Sequence, residues 1–110
     1  MTRLTLIAAL AIAAPMTAMA ADSVDNTKYA CDGNKVLDVV FLNTEAGNSY
    51  AVIHDMDELI AMKQVVTASG ASYEPVSPDY KYRLDTDGSE ATLTAITEGK
   101  EDVLYANCKG

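Results

Sequence analysis

The chain contains one histidine, His54, which stands beside an acidic cluster formed by Asp55, Asp57 and Glu58. One histidine cannot build a His-rich metal site, and nucleophilic catalysis would need a serine and an aspartate to converge on it. The sequence places no such partners there, so we interpret His54 as a solvated residue at a strand end. Paired carboxylates can hydrolyse glycosidic bonds, but that chemistry needs a substrate cleft, for which a small chain without tryptophan offers little room. We interpret the cluster as a solvated acidic turn, with a small carbohydrate-active enzyme as the alternative.

The segment Asp85-Thr86-Asp87-Gly88 is similar to the middle of a calcium-binding loop. With Gly88 at the sixth position of that loop, Arg83 takes the first position and Thr94 the twelfth, where calcium needs carboxylates. We therefore predict a polar hairpin turn, with a weak accessory calcium site as the alternative. The sequence contains no Gly-rich phosphate loop and no basic-aromatic patch. We expect no cofactor, no metal and no catalytic residue, and thus a binding protein rather than an enzyme.

Residues 1–20 have the features of a cleavable secretory signal peptide. Arg3 provides the positive charge, residues 4–14 are apolar, and Ala18-Met19-Ala20 supplies small residues at the positions that signal peptidase reads. The apolar run is shorter than the roughly 20 residues that span a bilayer. The signal does not end at a cysteine to which a lipid could be attached. We expect an exported, soluble protein without a membrane anchor, cleaved after Ala20 or Ala21.

The chain is acidic, with a net charge of −8 from 8 Lys and Arg against 16 Asp and Glu. Loss of Arg3 with the signal peptide changes the net charge to −9. This charge argues against nucleic acid and anionic membranes as partners. It favours a basic partner, because long-range attraction accelerates association between opposite charges. Acidity that only keeps the protein soluble is the alternative.

Two cysteines, Cys31 and Cys108, lie near the two ends of the mature chain. In an oxidising compartment an isolated pair of cysteines forms a disulfide. No CxxC motif and no neighbouring histidine supports a redox or metal pair instead. A bridge between them would close a loop of about 80 residues and stabilise the fold by about 4 kcal/mol in the chain-entropy model.

Short strands separated by turn residues must position all of these groups. Segments rich in β-branched and aromatic residues, or alternating in polarity, predict strands at 36–42, 50–54, 59–67, 80–84, 91–95 and 103–108. We expect residues 21–28 to be a flexible lead-in and residues 29–110 to form one domain. Evenly spaced short strands predict an all-β antiparallel sandwich or barrel, and the end-to-end disulfide favours a closed barrel.

Several segments resemble a known family. The segment Thr67-Ala68-Ser69-Gly70-Ala71-Ser72-Tyr73 resembles the SASGxxY motif of the bacterial inhibitors of C-type lysozyme, a family with membrane-bound and periplasmic members. Tyr29-Ala30-Cys31-Asp32-Gly33 resembles the opening segment of that family. Gly88-Ser89-Glu90-Ala91-Thr92-Leu93 resembles its GxEAxL segment, and Cys108 takes the place of its closing cysteine. The resemblance spans residues 29–109, nearly the whole mature domain.

The resemblance implies an antiparallel β-barrel of about eight strands that plugs the active-site cleft of a C-type lysozyme. By the same resemblance, Ser69 reaches the catalytic carboxylates of the enzyme. Gly70 lets the loop turn tightly, since glycine adopts unusual φ values without steric cost. Tyr73 supports the loop by packing or hydrogen bonding. The absence of a lipid-attachment cysteine implies a member from the soluble periplasmic branch.

The chain departs from the family at its second loop, which usually reads W-T-K-G and whose Lys also meets the lysozyme carboxylates. Aligned on Thr86 and Gly88, this chain has Asp85 in place of the Trp and Asp87 in place of the Lys. A carboxylate facing two acidic groups is repelled, at a cost of several kcal/mol at an interface.

Three alternatives follow from this departure. The second loop stays outside the cleft, or Lys81 or Arg83 compensates for the lost positive charge, or the function has changed. In the last case the barrel is an envelope binding module for another basic protein or a small ligand.

Overall fold

The computed structural model describes residues 21–68 and 70–110. The predicted signal peptide and the predicted contact residue Ser69 lie outside the described residues. The strands are β1 (Ser23–Cys31), β2 (Lys35–Asn43), β3 (Ser49–Asp55), β4 (Glu58–Val65), β5 (Ala71–Pro75), β6 (Tyr82–Asp87), β7 (Glu90–Thr97) and β8 (Lys100–Lys109). One turn of 3-10 helix, Asp32–Asn34, joins β1 to β2. Within these ranges, no helix is long and apolar enough to cross a membrane.

The eight strands form a closed antiparallel barrel in which each strand pairs with its neighbours in sequence and β8 pairs with β1. This arrangement confirms the predicted fold class. The predicted hairpin at Asp87-Gly88 is also confirmed, because Asp87 pairs with Glu90 across a two-residue turn. Gly88 has φ 61° there, as the first central residue of a type II′ turn requires.

Alternate residues of the strands point into the barrel and fill its core. The fully buried side chains include Leu37, Val39, Ile53, Met62, Leu84 and Leu93. The prediction of a strand over residues 59–67 is too long by two residues. β4 ends at Val65, and Val66 is fully exposed where the chain leaves the barrel wall.

The predicted flexible lead-in over residues 21–28 is wrong, because most of it belongs to β1. This strand pairs with β2 along its whole length, from Ser23 opposite Asn43 to Cys31 opposite Lys35. Tyr29 is the one buried residue of β1, and most of the others are exposed. The strand therefore lacks the polar–apolar alternation from which strands are predicted, and its backbone ladder to β2 defines it instead.

The barrel closes between β8 and β1 through few backbone contacts. The register of these two strands consists of the pair Ala30 and Lys109 in the described part of the chain. The predicted disulfide between Cys31 and Cys108 is confirmed beside that pair. The Lys35 ammonium adds a hydrogen bond of 2.8 Å to the Leu104 carbonyl oxygen. Covalent and side-chain contacts thus supplement a short ladder.

Candidate partner-binding site

Two connections at the same end of the barrel carry the residues that the sequence predicts to bind a partner. We call residues 66–70, between β4 and β5, the binding loop, and residues 87–90, between β6 and β7, the acidic hairpin. In an up-and-down barrel, alternate connections emerge at the same end. The topology therefore places the binding loop and the acidic hairpin side by side.

Gly70 is the point at which the binding loop touches β6. Its φ is +63°, and a Cβ atom added to it would lie 2.4 Å from the carbonyl oxygen of Thr86 and 3.6 Å from Cβ of Asp87. Real Cβ atoms do not approach a backbone oxygen so closely, so glycine is required here for both conformation and space. The Thr86 hydroxyl also donates to the Ala71 carbonyl oxygen at 3.3 Å. The predicted residues Gly70, Asp87 and Gly88 are thus brought together.

The described part of the binding loop lies at the surface. Val66, Thr67, Ala68 and Gly70 are all exposed. The Thr67 hydroxyl donates to the Gly70 carbonyl oxygen at 3.2 Å, which closes the loop on itself. The residues on either side of Ser69 are therefore accessible to a partner.

Tyr73 lies inside the barrel, in β5, and is 7% exposed. Its ring packs against Phe41 with a centroid distance of 5.7 Å. Burial raises the pKa of Tyr73 above its ordinary value, although a hydrogen bond with Gln64 acts in the opposite direction. Tyr73 thus supports the strand that follows the binding loop and offers no surface to a partner.

The acidic hairpin presents Asp87 to solvent at its tip. Asp87 and Gly88 are both exposed. Glu90 has a cation nearby, since its carboxylate lies 3.7 Å from the Lys109 ammonium. Among residues 21–68 and 70–110, no Lys, Arg or His lies within ion-pair distance of Asp87. The charge of Asp87 therefore stands uncompensated at this end of the barrel.

A network of polar side chains, which the sequence analysis missed, crosses the outer face of β5 to β8. The Ser72 hydroxyl donates to the Asp85 carboxylate, whose other oxygen accepts from Arg83 Nε at 2.9 Å. Both terminal nitrogens of Arg83 donate to Glu101, each at 3.1 Å. The hydrogen bonds to Glu101 and, to a smaller extent, to Asp85 raise the pKa of Arg83 above its ordinary value. The guanidinium in turn lowers the pKa of Glu101. We call these four residues the polar network.

The polar network excludes Arg83 as a compensating charge for Asp87, because its guanidinium is occupied by Asp85 and Glu101. Lys81 precedes β6, whereas Asp87 ends it. Six residues of strand separate the two by roughly 20 Å. Neither cation supplies the positive charge that the resemblance implies for this position.

Asp55 forms a second polar centre at the opposite end of the barrel. Its carboxylate accepts from the Tyr105 hydroxyl at 2.9 Å and from the Tyr82 hydroxyl at 3.4 Å. Burial is the main cause that raises the pKa of Tyr82 and of Tyr105, and the Asp55 carboxylate raises both further. Asp55 is 7% exposed, so the prediction of a solvated turn is wrong for this residue. His54 is exposed, as predicted.

The acidic residues do not converge as metal ligands do. Across the described ranges, no group of three or more His, Cys, Asp and Glu side chains is arranged to hold a metal ion. The segment 85–88 ends β6 and enters the turn rather than forming a calcium loop.

Comparison with known proteins identifies relatives of this barrel. Residues 29–102 match the profile of a family described as membrane-bound lysozyme-inhibitor of c-type lysozyme. The crystal structure of the periplasmic lysozyme inhibitor of C-type lysozyme from Salmonella typhimurium is 38% identical in sequence, with a TM-score of 0.71. The match covers 79% of this chain and 97% of that chain. No curated protein sequence matches.

Proposed function

Because the chain belongs to the family of inhibitors of C-type lysozyme, we propose that it inhibits a C-type lysozyme in the periplasm. Family membership confirms that the protein is an inhibitor-type binding protein and not an enzyme. The export signal predicted over residues 1–20 supports the periplasmic location, where an incoming lysozyme would be met.

The binding loop is the element that we propose to enter the lysozyme cleft. Lysozyme hydrolyses its glycan with two carboxyl groups on either side of the scissile bond. The Ser69 hydroxyl can donate a hydrogen bond to a carboxylate without adding a negative charge to the cleft. The observation that carries the proposal is the close approach of Gly70 to Thr86, because it attaches the C-terminal side of an exposed loop to β6 at one end of the barrel.

The same contact bears on the departure at Asp87. The binding loop and the acidic hairpin lie side by side, since a Cβ added to Gly70 would be 3.6 Å from Cβ of Asp87. A loop that enters the cleft would therefore bring the hairpin to the rim of the cleft. There Asp87 approaches the catalytic carboxylates of the enzyme without a cation of its own. We therefore propose that Asp87 weakens a complex which the overall negative charge of the chain otherwise favours.

A second candidate function is an envelope binding module for another basic protein or a small ligand. The exposed carboxylate of Asp87 favours it, since it would pair directly with a cationic partner. A pull-down from periplasm or host fluid that returns only lysozyme would count against this candidate.

The proposed function is tested by lysis assays with a C-type lysozyme and the purified mature protein. We expect inhibition by the unaltered protein, and an inhibition constant about tenfold higher for Ser69→Ala, as loss of a hydrogen bond to a charged group implies. Ser77→Ala, in the connection between β5 and β6 at the opposite end, is the matched control and should inhibit normally. Lack of inhibition at micromolar excess of the unaltered protein would disprove the proposal.

A further inference from the structure

We propose that Asp85 is a positioning residue, which holds the binding loop in the shape that inhibits lysozyme by tying the start of β5 to β6. This inference rests on the proposed function and deepens it. By the resemblance described above, Asp85 stands where the family usually has Trp. In this chain Asp85 contacts neighbouring side chains of the barrel itself, Ser72 and Arg83.

The first contact is with Ser72, three residues after Ser69. Ser72 is 5% exposed and pairs directly with Asp85 in the β5–β6 ladder. Its hydroxyl donates to one oxygen of the Asp85 carboxylate. A buried hydroxyl without this acceptor would lose its hydrogen bond, so the bond fixes both side chains.

The second contact orients the carboxylate from the other side. Arg83 Nε donates to the second oxygen of Asp85 at 2.9 Å. The Arg83 guanidinium is in turn held by two bonds to Glu101 on β8. A planar guanidinium held in this way has little freedom to rotate. Asp85 is therefore fixed relative to β8 as well as to β5.

The neighbouring residue of β6 completes the attachment. Thr86 contacts Gly70 through its carbonyl group and Ala71 through its hydroxyl. Asp85 and Thr86 together thus touch three consecutive residues that follow Ser69. The C-terminal side of the binding loop is held by β6, and its N-terminal side is tied to Gly70 by Thr67.

The attachment also separates the roles of the two aspartates that replace the Trp and Lys of the family. The charge of Asp85 is taken up by Arg83 inside the polar network. Asp87 has no such partner among the described residues and faces outward. We therefore expect Asp85 to act on lysozyme through the shape of the binding loop.

The test compares Asp85→Asn with Asp55→Asn, a matched control that weakens hydrogen bonds from hydroxyl groups at the opposite end of the barrel. We expect Asp85→Asn to raise the inhibition constant roughly tenfold and to accelerate amide hydrogen exchange at residues 70–73 of the free protein. Asp55→Asn should change neither. In the background of Asp85→Ala, which removes the acceptor, a further Ser72→Ala change should add little, because both variants then remove the same bond.

The outcomes separate this inference from the proposed function. Unchanged exchange at residues 70–73 in Asp85→Asn would overturn the attachment, and faster exchange with unchanged inhibition would overturn its role in positioning. Equal effects of Asp85→Asn and Asp55→Asn would reduce Asp85 to a stabilising residue. If the unaltered protein leaves lysozyme active, the proposed function fails and the positioning role fails with it. The exchange comparison then still decides whether β6 holds the loop.

Discussion

At the scale of single residues, Asp87 has the most direct effect on how this protein would meet a lysozyme. It is exposed at the tip of the acidic hairpin, next to a binding loop that contacts β6 through Gly70. The sequence alone left open whether Lys81 or Arg83 compensates for its charge. The structure excludes both, because Arg83 is occupied by the polar network and Lys81 lies at the far end of β6.

We predict that Asp87→Asn strengthens inhibition of a C-type lysozyme and that Asp87→Lys strengthens it further. The first change removes repulsion from the catalytic carboxylates, and the second adds attraction. Like-charge contacts at interfaces cost several kcal/mol, so an increase in affinity of tenfold or more is expected for the lysine variant. Inhibition constants from lysis assays measure this increase in affinity. Asp79→Lys, an exposed site at the opposite end with the same change in net charge, is the control. Identical constants for Asp87→Lys and the unaltered protein would place the acidic hairpin away from the cleft.

At the scale of elements, the sequence predicts those strands whose side chains alternate between core and solvent. β2 was found from Leu37 and Val39, and the β6–β7 hairpin from Asp87-Gly88, because alternation and turn chemistry are local properties. β1 was missed because it buries only Tyr29. The contact between Gly70 and Thr86 could not be predicted, since it joins residues on two strands and depends on their register. Arg83 and Asp85 stand two residues apart in one strand and so share a face, but Ser72 and Glu101 come from other strands, and no local pattern joins them to this pair.

The tyrosines around Asp55 lead to a prediction about the other end of the barrel. The pKa of Tyr105 is raised above its ordinary value near 10 by burial and by Asp55. A group with a raised folded-state pKa stabilises the fold fully below its unfolded pKa and loses that contribution as the pH rises through the folded pKa. The Tyr105 hydrogen bond should therefore stabilise the protein at pH 8 and progressively less above pH 10.

We expect Tyr105→Phe to lower the free energy of unfolding by about 1–2 kcal/mol at pH 8, as loss of a hydrogen bond to a charged group implies. The difference from the unaltered protein should narrow above pH 10, where the wild-type phenol ionises. Urea unfolding at a series of pH values measures both effects. Tyr50→Phe, on the exposed face of β3, provides the control. A difference that stays constant up to the alkaline limit would contradict the assigned role of the Tyr105–Asp55 bond.

At the scale of the whole molecule, closure of the barrel depends on the disulfide more than on backbone pairing. The ladder between β1 and β8 contains the pair Ala30 and Lys109 in the described ranges. The bridge between Cys31 and Cys108 spans 77 residues of sequence beside that pair. The sequence predicted this bridge from export and cysteine count, but it could not show how short the adjoining ladder is. Both termini of the barrel are therefore held mainly by one covalent bond.

Replacement of both cysteines by serine should lower the free energy of unfolding by about 4 kcal/mol. This is a large share of the 5–15 kcal/mol that is typical of small domains. Chemical denaturation of the double variant, with and without reductant, measures the loss. Reductant should destabilise the unaltered protein and leave the double variant unchanged. Equal stability of the oxidised protein and the double variant would show that the ladder and the side-chain contacts suffice for closure.

The central claim, occupation of the lysozyme cleft, is tested most directly by competition. Mature protein is titrated into C-type lysozyme by calorimetry, alone and in the presence of a saturating chitin oligosaccharide that fills the cleft. If the binding loop occupies the cleft, the apparent affinity falls in proportion to the saturation of the enzyme by the oligosaccharide. An affinity that is unaffected by the oligosaccharide, or an absence of binding in both titrations, would contradict the claim.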